Sequence, residues 1–218
     1  MKKMKKRIPI QPLLPKSPRA QPAPQLPAVP RALLDEADHL FNVRLNGPGS
    51  LLEHLALAYA FLDKVNRELV SSFTTCSQGC SHCCRMDVQI TTFEAEYIVM
   101  ATGIPHAPTA KLTKGHKGPC PFLSNAGECS IYAYRPLFCR TYHSLSDPKL
   151  CGIPGAAVAQ YGSMESNMGN ILYRGAASWV HFQNQHVTGG VKDIRDFFPH
   201  APSTIHRHLA AHPPRLPF

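Results

Sequence analysis

The chain has 218 residues, of which 44% are hydrophobic and 17% are charged, a composition that allows one ordinary domain with a hydrophobic core. Most of the net charge of +9 lies in residues 1–31, which hold eight of the 23 Lys and Arg residues and none of the 14 acidic residues, so the nearly neutral remainder offers no basic face for nucleic acid. No stretch approaches the ~20 consecutive apolar residues of a membrane-spanning helix, so no membrane span and no membrane partner are expected.

Residues 1–31 are predicted to form a disordered, basic, proline-rich tail. Eight prolines lie within the first 30 residues and interrupt every apolar run that could make the N-terminal lysines part of a secretory signal. We therefore expect a soluble cytoplasmic protein. In a reducing compartment, clustered cysteines are typically metal ligands or redox groups rather than disulfides.

Capping patterns and helical periodicity predict the helices of the N-terminal half. Ser50 and Glu53 form a capping box before an apolar repeat, which predicts a helix over residues 50–70. A shorter helix is expected over residues 32–41.

A second capping box, from Thr91 to Glu94, predicts a helix that ends near Ala101. Turn residues at 124–127 lie between two short apolar runs and favour a hairpin. Farther along the chain, a helix is expected over about residues 155–180.

Together these elements predict a small, mostly helical α+β or irregular domain that is stabilised by metal and contains a short hairpin. Its expected extent is residues 32–182, with the core at 76–151. Residues 183–218 are rich in His and Pro and are predicted to form a second disordered tail.

All eight cysteines lie between positions 76 and 151. Four of them occupy nine residues with the spacing C-x3-C-x2-C-C, and such short gaps let one loop or turn surround a cation. The candidate metal ligands are Cys76, Cys80, Cys83, Cys84, Cys120, Cys129 and Cys139. All-thiolate ligation suits Zn²⁺ and iron–sulfur clusters alike, so the sequence leaves the cofactor open between the two.

The neighbouring residues Cys83 and Cys84 bear on the number of centres. Adjacent side chains diverge along an extended chain, so two neighbouring centres are easier to build from this pair than one. The first three cysteines of the motif would then form one centre. Cys84 would join the three later ligands in a second centre or complete a shared one, and Cys151 or a histidine could fill a remaining position.

Two family resemblances rest on these cysteines. The spacing Cys76-x3-Cys80-x-His82-Cys83 is similar to the three-cysteine motif of radical S-adenosylmethionine enzymes, but the alternating strands and helices of their barrel do not follow it. The wider arrangement resembles a bacterial cysteine-cluster family nicknamed CxxCxxCC, whose domain is described as chelating zinc or iron.

The CxxCxxCC resemblance covers residues 76–142. Beyond the first cluster it rests on Thr92-x-Glu94-Ala95, Cys120-Pro-Phe-Leu, Cys129-Ser-Ile-Tyr132 and Arg135-Pro136-Leu-Phe-Cys139-Arg140-x-Tyr142. The chain departs from the nickname by having three residues between Cys76 and Cys80. The resemblance implies metal chelation, and some similar proteins are iron–sulfur oxidoreductases or a methylase of flagellin lysines.

Charged side chains lie next to the candidate ligands. Arg135 and Arg140 flank Cys139, where their charge could offset the net negative charge of a four-thiolate zinc centre. An ion pair with an acidic residue is the alternative, the candidates being Asp87, Glu94 and Glu128. His82, inside the first cluster, fits an exposed loop position better than a ligand position.

Metal binding through clustered thiolates is the leading hypothesis for function, with the metal ion as the only partner indicated. One alternative is an enzyme that uses the centre, either an iron–sulfur oxidoreductase or a methyl- or group-transfer enzyme. The other is a zinc-scaffolded adaptor or nucleic-acid binder. No nucleophile–base pair and no phosphate-binding loop stands out in support of another activity.

Overall fold

The chain folds into a mostly helical α+β domain with two small antiparallel sheets. The computed structural model describes residues 26–77, 79–107, 112–116, 118–162 and 168–199. In chain order the helices are α1 (Arg31–Asn42), α2 (Leu51–Glu68), α3 (Thr92–Thr102), α4 (Leu137–Thr141), α5 (Ile171–His186) and α6 (Ile194–Phe197). The strands are β1 (Gln89–Thr91), β2 (His143–Ser144), β3 (Gln160–Tyr161) and β4 (Val191–Asp193). Three short 3-10 turns near the cysteines span His82–Arg85, Tyr132–Tyr134 and Pro148–Gly152.

Helix α2 is the central element of the larger core. Its start is held by the predicted capping box, in which Ser50 Oγ accepts the Glu53 N–H and the Glu53 carboxylate accepts the Ser50 N–H at 2.6 Å. Leu55, Leu62 and Val65 on its inner face are fully buried. Helices α1, α3, α4 and α5 all pack against α2, which is therefore the element that holds the other helices together.

A second apolar cluster lies under β1 and α6. Strand β1 pairs antiparallel with β4, with Gln89 opposite Asp193. The buried side chains of the cluster come from distant segments: Val88, Ile90, Ile98, Phe122, Ile131, Ile194, Phe197 and Phe198. Cys120, Cys129 and Cys139 pack against this cluster, so it forms the floor of the cysteine-rich region.

The sequence predictions for the fold class and for the first three helices are confirmed. Helices α1, α2 and α3 begin and end within two residues of the predicted bounds of 32–41, 50–70 and 91–101. The predicted hairpin is reduced to a single antiparallel bridge between Leu123 and Cys129.

The helix predicted over residues 155–180 is wrong in its first half. Helix α5 begins only at Ile171. Gly155 and Gly162 have φ angles of 77° and 86°, which end regular structure on either side of the short strand β3. Gly155 and Gly162 therefore mark turns within the segment that the sequence predicts as helix.

The chain does not leave the domain after residue 182. Strand β4 is paired with β1, and α6 is buried in the second cluster, so ordered structure continues through Phe198. Residues 1–25 and 200–218, where most of the two predicted tails fall, lie outside the described residues. In the described part of the chain, no helix combines the length and the apolar character needed to cross a bilayer.

Gly162 occupies a position that only glycine fits. Its φ is +86°, and a Cβ there would lie 1.8 Å from the Thr141 carbonyl oxygen. We expect Gly162→Ala to lower the free energy of unfolding by more than about 1 kcal/mol, because both the backbone conformation and the space exclude a side chain. Urea denaturation measures the effect.

Gly175 on α5 is the matched control for this substitution. A Cβ there meets no atom within 4 Å. Gly175→Ala should raise the free energy of unfolding by roughly 0.5–1 kcal/mol, because alanine favours the helix. Equal stability of the two variants would contradict the structure.

Candidate metal centre

The seven candidate ligands line one cavity of about 390 Å³, which we name the thiol cavity. The sulfur-bearing part of its wall consists of Cys76, Cys80, Cys83, Cys84, Cys120, Cys129 and Cys139. The fold thus brings the first cysteine cluster and the three later cysteines to one place.

The first cysteine cluster reaches the cavity along the loop after α2 and the 3-10 turn His82–Arg85. The backbone N–H of Ser144, on β2, donates to Cys76 Sγ at 3.1 Å. At the other end of the cluster, the Cys120 N–H donates to the Cys84 carbonyl at 2.6 Å. These bonds join the cluster to two later segments of the chain.

Cys120 and Cys129 lie at the two ends of a compact turn. The Ser130 N–H donates to the Phe122 carbonyl at 2.9 Å, and Leu123 forms the antiparallel bridge with Cys129. The turn predicted at residues 124–127 therefore brings Cys120 and Cys129 together in the lining of the cavity.

Cys139 lies on α4, and Glu94 fixes the start of this helix. The Leu137 N–H donates to Glu94 Oε1 at 2.8 Å, and the buried Tyr59 hydroxyl donates to the same oxygen at 2.7 Å. Glu94 is also the capping residue of α3. Glu94, which the sequence places in the capping box of α3, thus also positions the candidate ligand Cys139.

Withdrawal from water keeps the thiols of Cys120, Cys129 and Cys139 protonated unless a cation is present. Burial raises the pKa of Cys120 to about 12, and it also raises the pKa of Cys129 and Cys139. The pKa of Cys83 is raised first by its hydrogen bond with Cys84 and then by burial. Because a thiol must lose its proton to bind metal, a positive charge in the cavity would relieve this penalty.

Backbone hydrogen bonds oppose the pKa rise at Cys76, Cys83, Cys120 and Cys129. Besides the donor to Cys76, the N–H groups of Phe122 and Ile131 lower the pKa of Cys120 and Cys129. Each of these two donors lies two residues after the cysteine that it serves. Amide donors directed at sulfur favour the thiolate, so the surroundings of the cysteines fit a thiolate-bound metal.

Cys83 interacts electrostatically with cysteines of both groups. Charge on Cys83 raises the pKa of Cys76 on one side and of Cys129 and Cys139 on the other. Charge on Cys151 also raises the pKa of Cys76, and Cys151 lies in a 3-10 turn that packs against the turn carrying Cys83. The division of the sulfurs between one and two centres therefore remains a prediction.

Among the described residues, one group of three potential metal ligands has all of its ligand atoms within 4.8 Å of one another. This group is Asp87, His116 and Asp193, and no three thiols of the described residues meet the same criterion. Ligation by several cysteines thus requires rotation of their side chains toward one another. No pattern in the sequence indicates the Asp–His–Asp set, because its members come from three separate segments of the chain. The Arg195 guanidinium donates to Asp193 at 3.0 Å, so a structural ion pair accounts for the set.

The two arginines beside Cys139 pair with Asp63 on α2. Arg135 Nη2 donates to Asp63 Oδ1 at 3.2 Å, and Arg140 Nη1 donates to Asp63 Oδ2. Arg140 is buried, with Cζ 4.4 Å from the centre of the Tyr59 ring. The acidic partners predicted from the sequence are wrong, because no local signal relates α2 to residues so far along the chain.

Tyr142 and His143 also line the thiol cavity. Burial lowers the pKa of His143 to about 4, so the ring is neutral at pH 7. Burial raises the pKa of Tyr142 to about 12, and its ring stacks on Phe138. The ring of His82 instead packs against Gly152, where a Cβ would lie 2.8 Å from it.

Comparison with protein families matches residues 75–165 to a model named CxxCxxCC and described as "Putative zinc- or iron-chelating domain". Neither the curated proteins nor the solved structures match the chain. The matched segment contains all eight cysteines, and so the whole sulfur-bearing wall of the thiol cavity. The similarity to the CxxCxxCC family thus covers residues 75–165 of this chain.

Proposed function

We propose that this chain binds Zn²⁺ or an iron–sulfur cluster through the cysteine thiolates of the thiol cavity. The observation that carries the proposal is that seven sulfurs, from both cysteine groups, line one cavity. Soft thiolate ligands select zinc and iron–sulfur centres over harder cations. The family match supports a chelating role for zinc or iron.

The cysteines of the cavity wall would hold the metal. The fold favours their thiolate form and brings the two groups of cysteines together. Backbone N–H groups favour the thiolate form at Cys76, Cys120 and Cys129. The adjacent Cys83 and Cys84 place two more sulfurs where the first cluster meets the later cysteines. The bound metal would supply the positive charge that lets these thiols ionise at neutral pH.

The size of the cavity favours a second candidate, an iron–sulfur oxidoreductase or a methyl- or group-transfer enzyme. A volume of about 390 Å³ falls within the roughly 300–1,000 Å³ of small-molecule sites. The lining also includes polar side chains of α2 and of the turn after it, those of Asp63, Asn66, Arg67 and Ser71. A small substrate could therefore lie beside the sulfurs.

Metal analysis of protein purified without oxygen tests the proposal directly. We expect bound zinc or iron, and for an iron–sulfur cluster a brown colour from sulfur-to-iron absorption. The measurement combines elemental analysis with a visible spectrum. Freshly isolated protein with its cysteines joined as disulfides, or protein that takes up neither metal, would contradict the proposal.

Removal of the metal should destabilise the domain. Structural zinc contributes an apparent folding free energy of roughly 10–16 kcal/mol in zinc-finger peptides, comparable to the ~5–15 kcal/mol that stabilises a whole domain. A strong chelator should therefore lower the thermal midpoint measured by circular dichroism, and added metal should restore it. An unchanged melting curve after complete metal removal counts against a metal-stabilised fold.

Cys139→Ser and Cys151→Ser form a matched pair, because Cys139 lines the thiol cavity while Cys151 lies in the neighbouring 3-10 turn. We expect Cys139→Ser to lose at least about half of the bound metal and to melt at a lower temperature. Cys151→Ser should keep its metal. Equal losses in the two variants, measured by elemental analysis, would show that the cavity does not define the ligand set.

A further inference from the structure

Asp63 forms ion pairs with Arg135 and Arg140, and the two guanidinium groups differ in how many of their donors have an acceptor. Arg140 is 1% exposed, and its three nitrogens donate to Asp63 and to the carbonyls of Ala133 and Arg135. All of its donor nitrogens are therefore occupied within the polypeptide. Arg140 holds the chain at residues 133–135 against α2, which is a structural role.

Arg135, in contrast, lines the thiol cavity and has an unused donor. Its Cζ lies 3.9 Å from the centre of the Tyr132 ring, and its Nη2 donates to Asp63 at 3.2 Å. Its Nε is buried and has no partner among the described residues. A buried donor without an acceptor costs free energy, which indicates an acceptor that the described polypeptide does not supply.

The charges around Asp63 also indicate a negatively charged acceptor beside Arg135 in the thiol cavity. One carboxylate faces two guanidinium groups, so one positive charge is left beside the sulfurs. A divalent ion bound by four thiolates has a net negative charge, which this excess would offset. Arg67 also lines the cavity, but it is exposed to solvent, where its charge is screened.

We propose that Arg135 is a positioning residue of the metal centre, in which its Nε–H donates to a metal-bound cysteine sulfur and its charge offsets that of the thiolates. The inference rests on the proposed function. Groups that hydrogen-bond to metal ligands orient them and tune the metal. Arginine suits this role because it stays charged when buried, and its rigid fork holds a carboxylate and a second acceptor together.

Titration of the full-length chain with Co²⁺, in competition with a chelator, tests this role. The sulfur-to-cobalt absorption band reports directly on the thiolates. Arg135→Gln removes both charge and donor, and it should weaken Co²⁺ binding by about 10- to 100-fold. Arg135→Lys keeps the charge and the pairing with Asp63 but lacks Nε, so it should weaken binding less and shift the band to lower energy. Arg174→Gln, at an exposed position of α5 outside the cavity lining, is the control and should behave as the wild type.

Wild-type affinity and band position in both Arg135 variants would overturn the inference. A lower thermal midpoint would not rescue it, because a purely structural arginine would also affect unfolding. Should Arg135→Gln fail to fold, Arg135→Lys decides the question. A wild-type chain that shows no sulfur-to-cobalt band and contains neither zinc nor iron would overturn the proposed function as well, so the two failures are distinguishable.

Discussion

Gathering several thiols in one partly buried cavity is the constraint on which the rest of this structure depends. Burial and the charge of neighbouring thiolates both raise the pKa of Cys129 and Cys139, so the cavity does not accumulate charge without a cation. A metal relieves both penalties together. The backbone donors to Cys76 and Cys120 and the cavity-lining Arg135 oppose the same penalties from the protein side.

Two acidic residues connect the helical scaffold to the thiol cavity. Glu94 caps α3 and also accepts the N–H at the start of α4, so the packing of one helix sets the position of the next. Asp63 on α2 holds Arg135 and Arg140 on either side of Cys139. The sulfur on α4 is therefore positioned by contacts to α2 and α3, not by its own five-residue helix alone.

The C-terminal segment supports the cysteine cluster from outside the residues matched by the family. Asp193 on β4 accepts the Val88 N–H at 2.7 Å, and Arg195 donates to the Cys84 carbonyl at 3.2 Å. Ile194 lines the thiol cavity itself. Strand β4 and helix α6 thus form part of the structure that holds the candidate ligands in place, although their sequence carries no cysteine.

The sequence by itself determined the starts of α2 and α3 and the sulfur-rich character of the candidate site, because capping, periodicity and cysteine spacing depend on residues a few positions apart. Only the tertiary structure decided that Asp63 is the partner of the arginines, that β4 pairs with β1, and that the sulfurs share a cavity without three of them meeting closely. Those contacts close long loops between segments with no common local pattern, and their formation depends on the packing of the whole domain.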